Sequence, residues 1–146
     1  MSSDQNKAIV RRFFDEVCNG RNQGVADQLF AATHRYHDPA SPWVGPGPQG
    51  MKDLTSTYYT AFPDARWTMD EMIAAEDGTV ITRFTGRGTH KAELRGLPAT
   101  GRAVTVQGIW IHRIADGKIQ ESWDNWDALG MLQQLGVVPQ LETAKN

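Results

Sequence analysis

Two carboxylates, Asp124 and Asp127, stand among two tryptophans, Trp123 and Trp126, in the stretch GKIQESWDNWDALGMLQQLG at residues 117–136. A carboxylate beside large apolar rings loses water. Desolvation disfavours its charged form and raises its pKa toward the range useful for proton transfer. Such a group can remove a proton beside a carbonyl and return it to the oxygen that forms. Strand alternation over 118–124 groups Gln120, Ser122 and Asp124 on one face and Ile119, Glu121 and Trp123 on the other. Spacing alone does not say which face is inward. Asp124 therefore reads either as an acid/base group or as a helix cap. Asp127, just before the apolar run Ala128-Leu129, fits a cap.

Other side chains could complete a site. His37 opens the loop HDPASPWVGPGPQG. It titrates near neutral pH and can pair with Asp124, or it can bond to backbone as an ordinary loop histidine. Trp110 can wall a flat substrate or serve as plain core. Arg83 would grip a carboxylate or enolate from an inward face and would be solvated on an outward one. Tyr58 and Phe62 can close a pocket, although a helical aromatic stripe is usually core. Trp43 needs something to pack on in its loop and is a candidate lid. Trp126 is a pocket wall or core. His34 reads as solvated, His112 as half exposed, and His90 as reaching the rim. The four histidines have no ligand spacing, so no metal is expected. Nucleophile-elbow and phosphate-loop motifs are absent from the sequence.

The elements that must position these residues follow from periodicity. A first helix over 4–19, capped by Ser3 or Asp4, has an apolar face of Ile9, Val10, Phe13, Phe14 and Val17. A second, shorter helix spans 23–32 and a third 48–62, stopped by Pro63. Strands follow at 66–75, 80–90, 104–114 and 118–123. Asp116-Gly117 marks a hairpin, and a short helical turn falls at 129–135. Helices first and strands after give an α+β chain with a curved, mainly antiparallel sheet. Such a sheet, covered by helices, leaves an interior pocket for a small molecule.

The 146 residues suit a single domain, with its core over about 5–138 and a tail at 139–146. Net charge is −2, with no basic stripe to attract nucleic acid. The apolar runs are too short for a bilayer, and the N-terminus does not read as a secretory signal. One cysteine, Cys18, fits a reducing, cytoplasmic setting.

The connection GLPATGR, the hairpin HRIADGKIQESWD and the ending DALGMLQQLG resemble the SnoaL-like polyketide cyclases and their ester cyclase relatives, in the nuclear transport factor 2-like superfamily. The resemblance covers about residues 5–138. It implies a cone-shaped α+β barrel, with N-terminal helices packed on the sheet, that is often a homodimer or higher oligomer. It also implies cofactor-free chemistry on an apolar, cyclic or polyketide-type small molecule, with an aspartate that falls on Asp124 as general acid/base. The best-studied branch closes a ring by intramolecular aldol condensation and has a histidine where this chain has Trp110. Hydroxylase-like and epoxide-hydrolase-like relatives, and receptacles without catalysis, are the alternatives that the resemblance leaves open.

Overall fold

The computed structural model describes residues 2–140, so nearly all of the expected 139–146 tail lies outside the described residues. Helix α1 (Ser3–Arg12) starts one residue earlier than expected, and its cap is Ser2 rather than Ser3 or Asp4. Ser2 Oγ accepts the Gln5 N–H at 3.1 Å, and Gln5 Oε1 accepts the Ser2 N–H at 2.8 Å. This reciprocal pair satisfies two donors that a helix start would otherwise leave bare. The helix then widens into a π-helical segment (Phe13–Asn19). Its wider turn carries Phe13, Phe14, Val17 and Cys18 all into the core.

A 3₁₀ turn (Gln23–Val25) and the single-turn helix α2 (Ala26–Leu29) lead directly into strand β1 (Phe30–His37). The reading of a helix over 23–32 is corrected here, and a fifth strand is added. Apolar spacing ran on through Phe30 and imitated a helix. The strand itself carries His34 and Tyr36 on its inner side, so it lacks the apolar alternation by which strands are read. Helix α3 (Gly47–Ala61) follows, then β2 (Arg66–Ala74), β3 (Thr79–Thr89), β4 (Ala103–Ala115), β5 (Lys118–Trp126) and α4 (Ala128–Gln134). Asp116 and Gly117 both take positive φ, 54° and 73°, as the tight β4–β5 hairpin requires.

The strands form one sheet in the order β1-β5-β4-β3-β2. The three pairings from β2 to β5 are antiparallel, but β1 runs parallel to β5. The sheet is therefore mixed, and it is not closed. The barrel implied by the resemblance does not form, because β1 and β2 remain separate edges. Helices occupy the space that closure would need: α1 and the π-helical segment pack on β2, and α3 packs on β1. Asn19 also blocks the β2 edge. Its side chain donates to the Trp67 carbonyl and accepts from the Trp67 N–H, both at 2.8 Å, standing in for a neighbouring strand.

The inner face of β4 presents Val104, Val106, Gly108, Trp110, His112 and Ile114. On β5 a register shift falls opposite Arg113/Ile114. It lets Ile119 face inward together with Ser122 and Asp124, which simple alternation had put on opposite faces. Two apolar clusters result. One centres on Phe13, Phe14, Phe30, Phe84 and Trp110, and the other on Phe62, Val104, Val106, Met131 and Leu135. Among the described residues, no helix is long and apolar enough to cross a membrane.

Two histidines lie deeper than their sequence context suggests. His34 and His112 are fully buried, not solvated or half exposed. His34 Nε2 meets Ser122 Oγ at 2.8 Å. The His112 ring stacks on Trp110 at 4.9 Å, and neither of its nitrogens has a protein hydrogen-bond partner. Burial pushes His112 down to about 3 and His34 down to about 4. Both folded values lie below the unfolded value near 6.5, so the unfolded chain binds more protons in between. Their contribution to stability is intact above pH 6.5 and is lost as pH falls toward the folded values. Phe at position 112 keeps a ring against Trp110 and removes two unpartnered nitrogens. His112→Phe should match or exceed the parent in stability at pH 7. It should also remove roughly 1–2 kcal/mol of the loss that the parent suffers between pH 7 and pH 5. Urea unfolding at the two pH values measures both effects.

Candidate active site

A cleft of about 80 Å³ opens between the two apolar clusters. Phe13, Phe14 and Cys18 come to it from the π-helical segment, and Tyr58 and Phe62 from α3 and its end. Trp110, Asp124 and Trp126 come from the sheet. Glycines let rings reach the floor. A methyl group at Gly108 would stand 2.6 Å from Trp126 and 2.7 Å from Phe84, so only glycine allows those rings to meet the backbone there. Phe13 meets Trp110 edge-on at 5.4 Å, and Tyr58 meets Trp126 edge-on at 5.5 Å.

Asp124 is the one carboxylate that lines this cleft among the described residues. It sits opposite Trp110 in the β4–β5 register and is 4% exposed. Its Oδ2 lies 2.7 Å from the Tyr36 hydroxyl, within hydrogen-bond distance, and its Oδ1 has no protein partner. Burial raises its pKa well above the ordinary carboxylate value. The Tyr36 hydrogen bond opposes that rise and the negative charge of Asp38 adds to it. Asp124 is thus a carboxyl that holds its proton to unusually high pH, with one oxygen unused by the protein.

The Tyr36 hydroxyl also lies 2.7 Å from Asp38 Oδ2. Asp38 is in turn bound by Trp126 Nε1–H at 3.0 Å and by the Ala40 N–H at 2.8 Å. Burial beside the two carboxylates raises the Tyr36 hydroxyl far above its usual value, so the phenol stays neutral. Tyr36 and Asp38 were missed in the sequence. They stand on either side of His37, two positions apart from each other, and so share a face that His37 does not. That signal was present in His34-Arg35-Tyr36-His37-Asp38, but only for a reader who had recognised the strand.

The other candidate residues divide between two faces of the sheet. Trp110, Tyr58, Phe62 and Trp126 gather with Asp124 around the cleft. His37 lies on the opposite face, where its Nε2 meets Glu121 at 2.6 Å and its ring stacks on Trp123 at 5.1 Å. It is not brought to Asp124. Arg83 is also on the outer face, half exposed and paired with Glu71 at 3.3 Å and Asp70 at 3.8 Å. Trp43 packs against the core beneath the Arg95 guanidinium, 4.1 Å from its ring centre, and does not line the cleft. His90 is buried rather than at the rim, stacked on Phe62 and bonded to Thr100. Asp127 caps α4, accepting the Gly130 N–H at 2.8 Å.

Comparison with known proteins adds the following. The model of the SnoaL-like polyketide cyclase family matches residues 8–135. The chain is 31% identical over 132 residues to aklanonic acid methyl ester cyclase DauD of Streptomyces sp. (strain C5), covering 88% of this chain and 80% of that protein. It is 29% identical over 119 residues to nogalonic acid methyl ester cyclase of Streptomyces nogalater, covering 79% and 88%. Among solved structures, TsrD from Streptomyces laurentii superposes with a TM-score of 0.81 at 26% identity, covering 94% of this chain and 99% of that one.

The two aspartates of the WDNWD stretch have separable tasks, and this can be measured. Asp127→Ala removes a cap and should cost about 1 kcal/mol in urea unfolding. It should leave the Asp124 environment unchanged, as read from the fluorescence of the tryptophans around the cleft.

Proposed function

The chain belongs to the SnoaL-like polyketide cyclase family, and from that premise we propose that it is a cofactor-independent cyclase closing a ring in a polyketide-type ester by intramolecular aldol condensation. The observation that carries this reading is Asp124: a buried carboxyl among aromatic rings that lines the cleft and leaves Oδ1 without a protein hydrogen-bond partner. In the proposed reaction Asp124 takes the proton from a carbon beside a carbonyl. The electron pair left behind attacks a second carbonyl of the same molecule, and Asp124 returns the proton to the new alkoxide. Trp110, Phe13, Phe14 and Trp126 hold the planar part of the substrate. Their apolar surface keeps water away while the charged intermediate exists.

By the resemblance Trp110 falls where the aldol cyclases have a histidine, so on this reading Asp124 meets the acid and base demands at that wall with no histidine beside it. The epoxide-hydrolase alternative is less well supported by geometry. It needs an arginine between two aspartates at the site, and Arg83 lies on the other face of the sheet with Asp70 and Glu71. The cleft volume of about 80 Å³ is below the roughly 300–1,000 Å³ of pockets that enclose drug-sized ligands. Substrate entry on this reading therefore requires a wall to move outward.

The outer face of the sheet supports self-association. Ile73, Ile81, Ile111, Trp123 and His37 form one continuous cross-strand row, and Ile73, Ile81 and Ile109 are 54%, 38% and 48% exposed. We propose that a second copy of the chain covers this patch.

Two experiments test these readings. Aklanonic acid methyl ester and nogalonic acid methyl ester, incubated with the protein, should give cyclised products by chromatography and mass spectrometry. Asp124→Asn should lower the rate by about 10²-fold or more while the melting temperature holds; full activity in that variant would refute the assignment. For self-association, Ile81→Lys should turn a dimer into a monomer in light scattering. A parent that is already monomeric at high concentration would remove the interface proposal.

A further inference from the structure

The hydroxyl of Tyr36 lies 2.7 Å from Asp124 Oδ2 and 2.7 Å from Asp38 Oδ2. A phenol has one proton to donate. It can satisfy one carboxylate, and toward the other it can only accept. Two ionised carboxylates around one neutral phenol would leave an oxygen facing an oxygen with no hydrogen between them. Two contacts this short therefore call for a second proton in the chain of three groups. The surroundings say where it resides. Asp38 Oδ2 accepts from Trp126 Nε1–H and its Oδ1 from the Ala40 N–H, both donors that stabilise an anion. Asp124 has no such N–H donor and is almost wholly buried.

We propose that Asp124 and Asp38 share one proton through the Tyr36 hydroxyl, and that Asp38, which does not line the cleft, is the positioning residue that sets when Asp124 can take a proton. At rest Asp124 is the acid, donating from Oδ2 to Tyr36, while Tyr36 donates to the Asp38 anion. The inference rests on the acid/base reading of Asp124 and gives it a means of acting as a base. When Oδ1 takes a proton from the substrate carbon, the Oδ2 proton passes to the Tyr36 oxygen and the Tyr36 proton passes to Asp38 Oδ2. The C–H electron pair stays on the substrate as its enolate. Asp124 remains neutral, now protonated on Oδ1, and Asp38 has gained the proton. After the carbon–carbon bond forms, Oδ1 gives its proton to the alkoxide and the other two transfers reverse. Atoms and charge balance without a co-reactant.

The other titratable groups near this chain do not supply the second proton's base. The Cys18 thiol on the π-helical segment is pushed up by burial and stays neutral. Tyr58 on α3 is raised by burial, with Arg95 nearby as an opposing charge. His34 and His112 on the inner face are neutral at pH 7.

The test titrates the ¹³C resonances of the aspartate carboxyls and tyrosine rings of the intact, unliganded protein. In the parent, Asp124, Asp38 and Tyr36 should respond together at one midpoint, with a protonated carboxyl persisting at neutral pH. Asp38→Asn removes the anion and frees the Tyr36 proton for Asp124, so the Asp124 midpoint should fall by about one pH unit or more. Tyr36→Phe removes the donor, so the midpoint should rise, and adding Asp38→Asn to it should have a much smaller effect than in the parent. Independent titration of Asp38 and Asp124 in the parent overturns the proposal, as does an Asp124 midpoint unmoved by Asp38→Asn. The parent measurement stands even if a variant fails to fold. These outcomes are separate from turnover. An inactive Asp124→Asn with uncoupled carboxyls removes the relay alone, whereas an active one removes the catalytic reading and leaves the titration result intact.

Discussion

The hydrogen bond between Tyr36 and Asp124 joins the edge strand β1 to β5 through their side chains, and the site depends on it. A carboxyl that is 4% exposed among tryptophan and phenylalanine rings cannot keep a charge cheaply. One short hydrogen bond to one oxygen, with the other oxygen bare, is less than a carboxylate ordinarily receives from a protein interior. The fold tolerates the arrangement because β1 lies parallel to β5 and brings Tyr36 opposite Ser122, two residues from Asp124. An antiparallel neighbour in that place would come from a different connection and would not deliver Tyr36-His37-Asp38 to this end of the sheet.

The open sheet and the cleft have a common cause. Because α1, its π-helical extension and α3 lie where β1 and β2 would otherwise approach each other, the interior is lined by helix on one side and sheet on the other. The π-helical turn then directs two adjacent phenylalanines inward, and Gly108 removes the side chain that would keep Phe84 and Trp126 apart. The result is a largely apolar space whose lining includes the polar side chains of Asp124, Tyr58, Thr55, Cys18 and Arg87. Such a space favours a flat, largely apolar molecule and strengthens whatever electrostatic contact Asp124 makes with it.

How far the sequence could be read varied with the kind of signal each residue gives. Helix α3, strands β2 to β5, and α1 taken together with its π-helical extension follow from apolar periodicity and turn chemistry, and the structure has them within a few residues of the expected bounds. Strand β1 was hidden because its inward positions carry His34 and Tyr36. The polar residues that build the site erased the alternation that would have revealed the strand, and with it went Tyr36 and Asp38. His37, the more conspicuous residue of that segment, points to the other face of the sheet because one step along a strand reverses direction. Arg83 went the same way. His112 looked like a hairpin-end residue, yet the inward phase of β4 continues to Ile114 and holds it in the core.

Local chemistry determined much by itself. The sequence specified an α+β chain, the Asp116-Gly117 hairpin, the Asp127 cap and the combination of aspartate with tryptophan that marks Asp124, because each depends on neighbours within a few positions. Tertiary structure decided the rest. It left the sheet open rather than closed into a barrel, since closure depends on what occupies the space between two edges far apart in the chain. It turned Ile119 and Asp124 to the same face through a register shift fixed by the partner strand. It also set one phenol between two carboxyls 86 positions apart in the numbering, a proximity that only the parallel pairing of the first strand with the last produces.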